Sequence, residues 1–429
     1  MEQNKPISEK FSSAQIYAIV ILALTQFTVI LDFMVMSPLG DMLMKAMSLS
    51  TSQFGFAVSS YAFSAGISGL LTAGFADRFD RKKLLLFFYV GFIVGTLLCG
   101  LTTSYPMLIM ARIVTGLFGG VIGSISMAIV ADLFPFQQRG RVMGFMQMGF
   151  GASQVLGIPI SLFVANIWGW QSPFLMIVGL ASIVWLVVLV KMPAIAEHLT
   201  IKSERKILMH LWKTLSFGQY RAGFLTTALL SLGGFLMMPW GSAFAINNLQ
   251  LTTHQLPILF MVGGVSSLII MPLIGKFSDS IDKFKLFAFA SVWMMMVVVV
   301  YTNLTPVAFG IVLAVNVLMM IGIMSRMVPS MALVSALPKM QDRGAFMSIN
   351  SSLQQIAGGI AAVIGGKIVV QKTNFSPLEH FDTLGYMIVG ISLVSIYMMY
   401  YISGLVKRNH AIAAAAAAST TSTTPAPVH

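Results

Sequence analysis

Apolar residues fill long unbroken stretches of this chain, and polar residues collect in short gaps between them. A helix crosses a hydrocarbon layer in about 20 residues. Twelve stretches reach that length, over 14–38, 54–76, 84–102, 106–131, 141–166, 172–191, 220–246, 255–275, 284–302, 306–331, 344–371 and 381–405. The pattern predicts an all-α polytopic membrane protein of twelve transmembrane helices in two six-helix bundles, 14–191 and 220–405. The one long connection, 192–219, falls after the sixth span, with 1–13 and 406–429 as the ends. Within that linker, Ile207, Leu208, Leu211, Trp212 and Leu215 share a helical face ringed by Lys202, Arg205, Lys206 and Lys213. Ser203–Leu215 therefore reads as an interfacial amphipathic helix or as a flexible linker. The tail from Ala411, Ala-rich and then Ser/Thr/Pro-rich, is expected to be disordered beyond any frayed helix.

The basic residues fix the sidedness. The side holding both termini and the even-numbered loops carries 21 Lys and Arg, and the opposite side has three, Lys45, Lys367 and Lys372. Cytoplasmic loops of membrane proteins carry this excess, so both termini are expected in the cytoplasm, in a cell (inner) membrane. Trp168 and Trp170 suit an interfacial aromatic belt at the outer end of the fifth span.

An internal repeat divides the chain further. Asp77-Arg78-Phe79-Asp80-Arg81-Lys82-Lys83 follows the second span, and Asp279-Ser280-Ile281-Asp282-Lys283-Phe284-Lys285 follows the eighth, 202 residues later. Arg139-Gly140 opens the fifth span and Arg343-Gly344 the eleventh, 204 residues later. Two matches at nearly one offset indicate duplicated halves, and parallel repeats enclose a central cavity in secondary transporters.

Composition excludes several other classes. Charged residues make up 9% of the chain and hydrophobic ones 57%, whereas soluble domains carry about 25% charge. The net charge of +12 follows from the inner loops rather than from nucleic-acid binding. The single cysteine, Cys99, excludes an intramolecular disulfide. All six histidines lie in loops or tails, so the spans hold no His/carboxylate cluster for a catalytic metal. Neither a cofactor nor enzymatic activity is expected. A channel would need repeated filter loops or charged rings, and none is evident.

Charges inside spans cost about 2.5–3.5 kcal/mol each on insertion scales and usually have a task. Asp32 lies six residues before Pro38 on an outward-running span, and Arg112 six residues after Pro106 on an inward-running one. At 1.5 Å per residue, both sit roughly 9 Å below the outer boundary. An opposite-charge pair at matched depth could meet across a cavity. Burial and a nearby guanidinium pull a carboxyl's proton affinity in opposite directions, so Asp32 is a candidate proton-exchanging group. Arg112 would tune it or hold an anionic group of a substrate. A permanent ion pair that only orients helices is the alternative. The second half has Asn316 at the position 204 after Arg112. Arg326 and Lys367, near span ends, are expected to snorkel. Candidate cavity groups are Gln26, Gln147, Gln154, Asn316, Asn350 and Gln354, with Tyr61 and Trp240 as aromatic surfaces. Met237, Met238, Met319 and Met320 could add adaptable apolar lining. Each polar group is also open to the reading of interhelical glue.

These residues carry a resemblance. Gly74-Phe75-Ala76-Asp77-Arg78-Phe79-Asp80-Arg81-Lys82-Lys83 resembles the loop signature Gly-x-Leu-Ala-Asp-Arg-x-Gly-Arg-Lys of the major facilitator superfamily, with Asp80 replacing the second Gly. Arg112-Ile113-Val114-Thr115-Gly116 resembles the family's Arg-x-x-x-Gly signature in span four. Gly149, Gly157, Ile158 and Pro159 are similar to the antiporter motif of span five, in the Gly-Val-Pro form of the arabinose-efflux-like branch. Leu31-Asp32-Phe33 and Pro38-Leu39 look like the first-span acidic signature of exporters. The resemblance covers all but the tail. It implies a cytoplasmic gate of Asp77, Arg78, Arg81, Asp132 and Arg139, with Asp77 at the opening of the eleventh helix and Arg81 paired with Asp132.

The expectation is a proton-coupled exporter, by alternating access, of small neutral, cationic or amphipathic molecules. Its partners would be that substrate, protons and the bilayer, and it would work as a monomer. A uniporter or proton-coupled importer of a polar metabolite such as a sugar or nucleoside shares the pattern.

Overall fold

The computed structural model describes residues 11–72, 79–134, 136–196, 207–339, 342–373 and 375–421. In the first half these form α1 (Ser13–Val35), the short α2 (Gly40–Met47), α3 (Thr51–Thr72), α4 (Arg81–Leu101), α5 (Tyr105–Leu133), α6 (Phe136–Ala152), α7 (Ile158–Trp168) and α8 (Ser172–Lys191). After α9 (Ile207–Ser216), the second half contains α10 (Gly218–Phe235), the three-residue α11 (Gly241–Ala243), α12 (Gln255–Ser280) and α13 (Lys283–Thr302). It ends with α14 (Phe309–Ser335), α15 (Arg343–Ile368) and α16 (Phe381–Thr421). Counting α6–α7 and α10–α11 as one span each, the described residues hold twelve long helical spans. Eleven are apolar enough by composition alone to cross a membrane. The twelfth, α15, is more polar because it lies inside the molecule, packed along α3 and α10.

Local chemistry sets the helix ends. Ser12 and Gln15 close a capping box on α1, each side chain bonding the other's backbone N–H. The repeated loop acids do the same work in both halves. Asp80 accepts from Lys83 N at 3.0 Å to open α4, and Asp282 accepts from Phe284 N and Lys285 N to open α13. The fifth span carries a π turn over Ser153–Gly157. Pro159, two residues beyond it, lacks an N–H, so the ladder cannot run on unchanged.

Several elements differ from the sequence expectation. The first span ends at Val35, three residues early, and a separate α2 follows it. The seventh breaks after Phe235 into a 3-10 turn (Met238–Trp240) around Pro239, then α11 and a π turn (Phe244–Asn248). The tail from Ala411, expected to be disordered beyond any frayed helix, is helical through Thr421, because alanine has the highest helix propensity of any residue type. Trp168 is 70% exposed as an interfacial residue would be, but Trp170 is buried edge-to-face against Phe174.

The halves meet along two seams. One sets α3, the second span, against α15, the eleventh; the other sets α12, the eighth, against α7 and the π turn of the fifth. Shifting each span number by six exchanges the two seams, so the duplication seen in sequence governs how the halves dock. Small residues make the first seam close: a Cβ on Gly55 would stand 2.6 Å from the Ala362 carbonyl oxygen. The outward faces of peripheral helices carry exposed apolar residues such as Phe87, Phe163 and Phe289, as lipid contact requires.

Candidate functional site

Asp32 and Arg112 meet inside the first half. Asp32 stands on the last turn of α1, and Arg112 two turns into α5. Arg112 Nη1 donates to Asp32 Oδ2 at 3.1 Å, and Thr96 Oγ1 on α4 donates to Asp32 Oδ1 at 3.1 Å. Both charged side chains are 0% exposed. Tyr61 on α3 lays its ring 4.6 Å from the guanidinium carbon, adding a cation–π contact. Gly116 makes that approach possible, since any side chain there would collide with the Tyr61 backbone and Ser64. The spacing Arg112-x-x-x-Gly116 thus places the charge and the gap that admits its cover one helical turn apart.

The pair is direct and shielded rather than spread across a water-filled cavity, which corrects the expected geometry. Arg112 Nε and Nη2 are buried without a hydrogen-bond partner. Cys99 and Thr115 lie beside them, with Cys99 Sγ 3.8 Å from Thr115 Oγ1. A single N–H···O contact leaves much of the guanidinium's donor capacity unused. A site built this way holds its ions together without the bidentate geometry that would lock them.

The other candidates are distributed through the molecule. Gln26 is half-buried and faces Gly123 of α5. The Gln154 backbone packs on Gly264, and the Asn316 side chain reaches the neighbouring Gly263, so both lie near the α12 seam. Asn350 is half-buried with its Oδ1 unpartnered. Gln354 is exposed, and its carbonyl accepts from Ser231 Oγ at 2.7 Å. Trp240 is not an open cavity wall: it is 0% exposed, wedged between Gly55 and the α15 glycines Gly365 and Gly366. The broken seventh helix turns it into the docking seam. Gly149 and Gly157 pack against α1 at Ala23 and Leu31. The Gln147 and Arg139 side chains lie outside the described residues, as do Asp77 and Arg78. Arg81 Nε stands 3.1 Å from Asp132 Oδ2, and Arg81 N donates to the Ile195 carbonyl at 3.0 Å.

Arg326 departs from expectation. It does not snorkel but is buried in the second half, with Nη1 at 2.9 Å from Met294 Sδ and 3.2 Å from Ser392 Oγ. Its guanidinium carbon lies 5.6 Å from the Phe287 ring centre. Hydroxyl, thioether and ring acceptors on α13 and α16 draw it inward, and none of these stands out in a sequence. Lys367 is exposed. Sequence reasoning also missed Thr96 and Thr115, because hydroxyls are ordinary residues in membrane helices.

A family model described as Major Facilitator Superfamily matches residues 22–362. The MFS-type transporter YceJ of Bacillus subtilis is 25% identical over 260 residues, which are 60% of this chain and 66% of that relative. A probable sugar efflux transporter of Helicobacter acinonychis is 24% identical over 253 residues, 59% of this chain and 63% of that relative. The chain thus spans just under two thirds of the length of these curated relatives. A bacterial homolog of the human lysosomal transporter Spinster, solved in an inward-facing, unoccupied conformation, matches with a TM-score of 0.73 at 14% identity. That match covers 93% of this chain and 99% of the other, and it is a likeness of fold.

Proposed function

This chain belongs to the Major Facilitator Superfamily, and from that premise we propose that it is a proton-coupled exporter working by alternating access. It is a membrane transporter of small molecules and not an enzyme. The observation that carries the finer reading is the dry Asp32–Arg112 pair, held at 3.1 Å with two guanidinium nitrogens unmatched. A proton and the guanidinium compete for the same carboxylate. Protonation removes the Coulomb attraction and leaves Arg112 as an uncompensated charge in a low-dielectric bundle, a state that favours rearrangement. The first half therefore has two energetically distinct arrangements that differ by one proton. Asp32 lies near the outer end of α1, where a proton from outside enters when that face opens.

In the cycle, proton uptake by Asp32 releases the substrate outward, and loss of the proton inward resets the carrier. The sparse charge within the spans suits neutral, cationic or amphipathic molecules. The Helicobacter relative is named as a probable sugar efflux transporter, which agrees with this direction. The excess of Lys and Arg on one side supports an inner membrane location with both termini in the cytoplasm.

The test is Asp32→Asn, which imitates the protonated acid. A compound that raises the melting temperature of the purified protein is loaded into proteoliposomes, and its movement is followed under an imposed pH gradient. The wild type is expected to accumulate the compound against its gradient. Asp32→Asn is expected to lose that accumulation yet retain exchange at equal concentrations. Gradient-driven accumulation by the variant would reject the coupling role and leave the transporter assignment intact. Wild-type transport indifferent to the pH gradient would favour a uniporter.

A further inference from the structure

The outer ends of the two halves are joined by polar contacts that follow the duplication. Ser242 Oγ donates to the Ser37 carbonyl at 2.8 Å, and Ser37 Oγ donates in turn to the Met238 carbonyl. Asp41 N points at Ser242 Oγ, 3.4 Å away. Four residues beyond Ser37 and five beyond Ser242 lies a closed triangle. Asn247 Nδ2 donates to Asp41 Oδ1 at 2.6 Å, Lys45 Nζ donates to Asp41 Oδ2 at 2.8 Å, and Lys45 Nζ also reaches Asn247 Oδ1 at 3.2 Å. Ser37 and Ser242 are 205 residues apart, and Asp41 and Asn247 are 206 apart. These spacings are close to the repeat offset, so corresponding ends of the first and seventh spans face one another. The early end of α1 and the break in the seventh helix, neither evident in the sequence, create this meeting point.

We propose that Asp41, Lys45 and Asn247 form the extracellular latch of the transport cycle, holding the outer face shut until substrate leaves on that side. Lys45 and Asp41 both belong to α2, so their ion pair survives any separation of the halves. Asn247 is the group that bridges to the second half. It satisfies both ions at once, and opening the outer face strips it away and hydrates a carboxylate that is 6% exposed when latched. Phe375, from the loop before α16, lies 5.1 Å from Lys45 Nζ and covers the cation from the second half. The latch is also connected to the proton site. Asp32 and Ser37 flank the end of α1, so a shift of Asp32 relative to Arg112 moves the segment that carries Ser37 and Asp41. A triangle closed on a buried carboxylate is poor general glue, since one that only joined helices could be replaced by apolar packing without loss. Its value lies in being separable: its members have alternative partners in water and in each other.

The proposal rests on alternating access and not on proton coupling. Spin labels at T103C and T305C, both on exposed outer loops of opposite halves, report the outer opening by pulsed electron resonance; the native Cys99 is fully buried. Asn247→Ala and Asp41→Asn are each expected to raise the fraction of long distances by roughly fivefold or more, the lower end of ordinary coupling energies. The exchange D41N/N247D, which restores a carboxylate beside Lys45 and an amide donor opposite it, is expected to return the distribution toward wild type. Asn247→Ala leaves the Lys45–Asp41 pair intact and so keeps the test usable if Asp41→Asn folds poorly. Wild-type distances in both single variants, with opening still produced by substrate or acid, would overturn the latch and leave alternating access standing. Distances that move under no condition would overturn both.

Discussion

Removing either member of the Asp32–Arg112 pair exposes the other to the same dry surroundings, but the two survivors are not equivalent. A stranded aspartate can take up a proton and become neutral, whereas a guanidinium stays charged at any accessible pH. Asp32→Ala is therefore expected to lower the melting temperature in detergent more than Arg112→Met does. The Ala variant should approach the roughly 3–5 kcal/mol that an orphaned buried charge costs. Equal losses in the two variants would show that packing, not charge, dominates the site. At this scale the sequence was informative where it was unusual. Two charges in apolar runs stood out and could be placed at matching depth by counting residues. Thr96 could not be found that way, because hydroxyls are common in membrane helices and only the fold brings it to Asp32; Tyr61 was expected as an aromatic surface, but its place over the Arg112 guanidinium comes from the fold. Asp41 and Lys45 were hidden for the opposite reason: in a loop between spans, charges look ordinary.

Among the elements, the duplicated loops are clearest. Asp80 and Asp282 were visible as a repeat, and both cap the helix that follows. Lys407 adds a hydrogen bond to Asp282 at 2.8 Å, and that contact, ahead of the cap's N–H groups, holds the carboxyl below the usual carboxylate range. A lowered folded-state value means the contribution is present above the unfolded value, about 3.9, and is lost as pH falls through the folded one. Asp282→Ala should cost about 1 kcal/mol near neutral pH, most of it from the cap, since an exposed ion pair adds little. The difference from wild type should shrink in melts taken below about pH 4; a gap that persists there would assign the loss to something other than the ionised cap. Where helices break was harder to read. Pro159 and Pro239 were in plain view, but proline in a membrane helix is compatible with a kink, a π turn or a full interruption, and neighbouring helices decide which. The alanine tail misled in the other direction, its composition resembling a linker while its backbone preference is helical.

For the whole molecule, the hydrophobic pattern and the 202–204 residue offsets were enough to anticipate twelve spans in two related halves. They could not show which spans touch across the middle. That depends on side chains small enough to let α3 reach α15, and on Trp240 entering the seam from a helix whose break was not foreseen. In the resulting arrangement the outer ends are tied together by the contacts of Ser37, Asp41, Thr51 and Asn166 with Ser242, Asn247, Val369 and Thr253. The Asp32–Arg112 pair lies just beneath these outer contacts, so the proposed cycle requires its access to water to change with the conformation of the whole carrier. Infrared difference spectroscopy on the membrane-embedded protein tests this most directly, by following the carboxylic-acid C=O stretch as pH is changed with and without bound substrate. A band that titrates in the wild type, shifts on substrate addition and is missing from Asp32→Asn is the predicted result. A wild-type spectrum with no band assignable to Asp32 across the accessible pH range would mean a permanent ion pair, and would contradict the account.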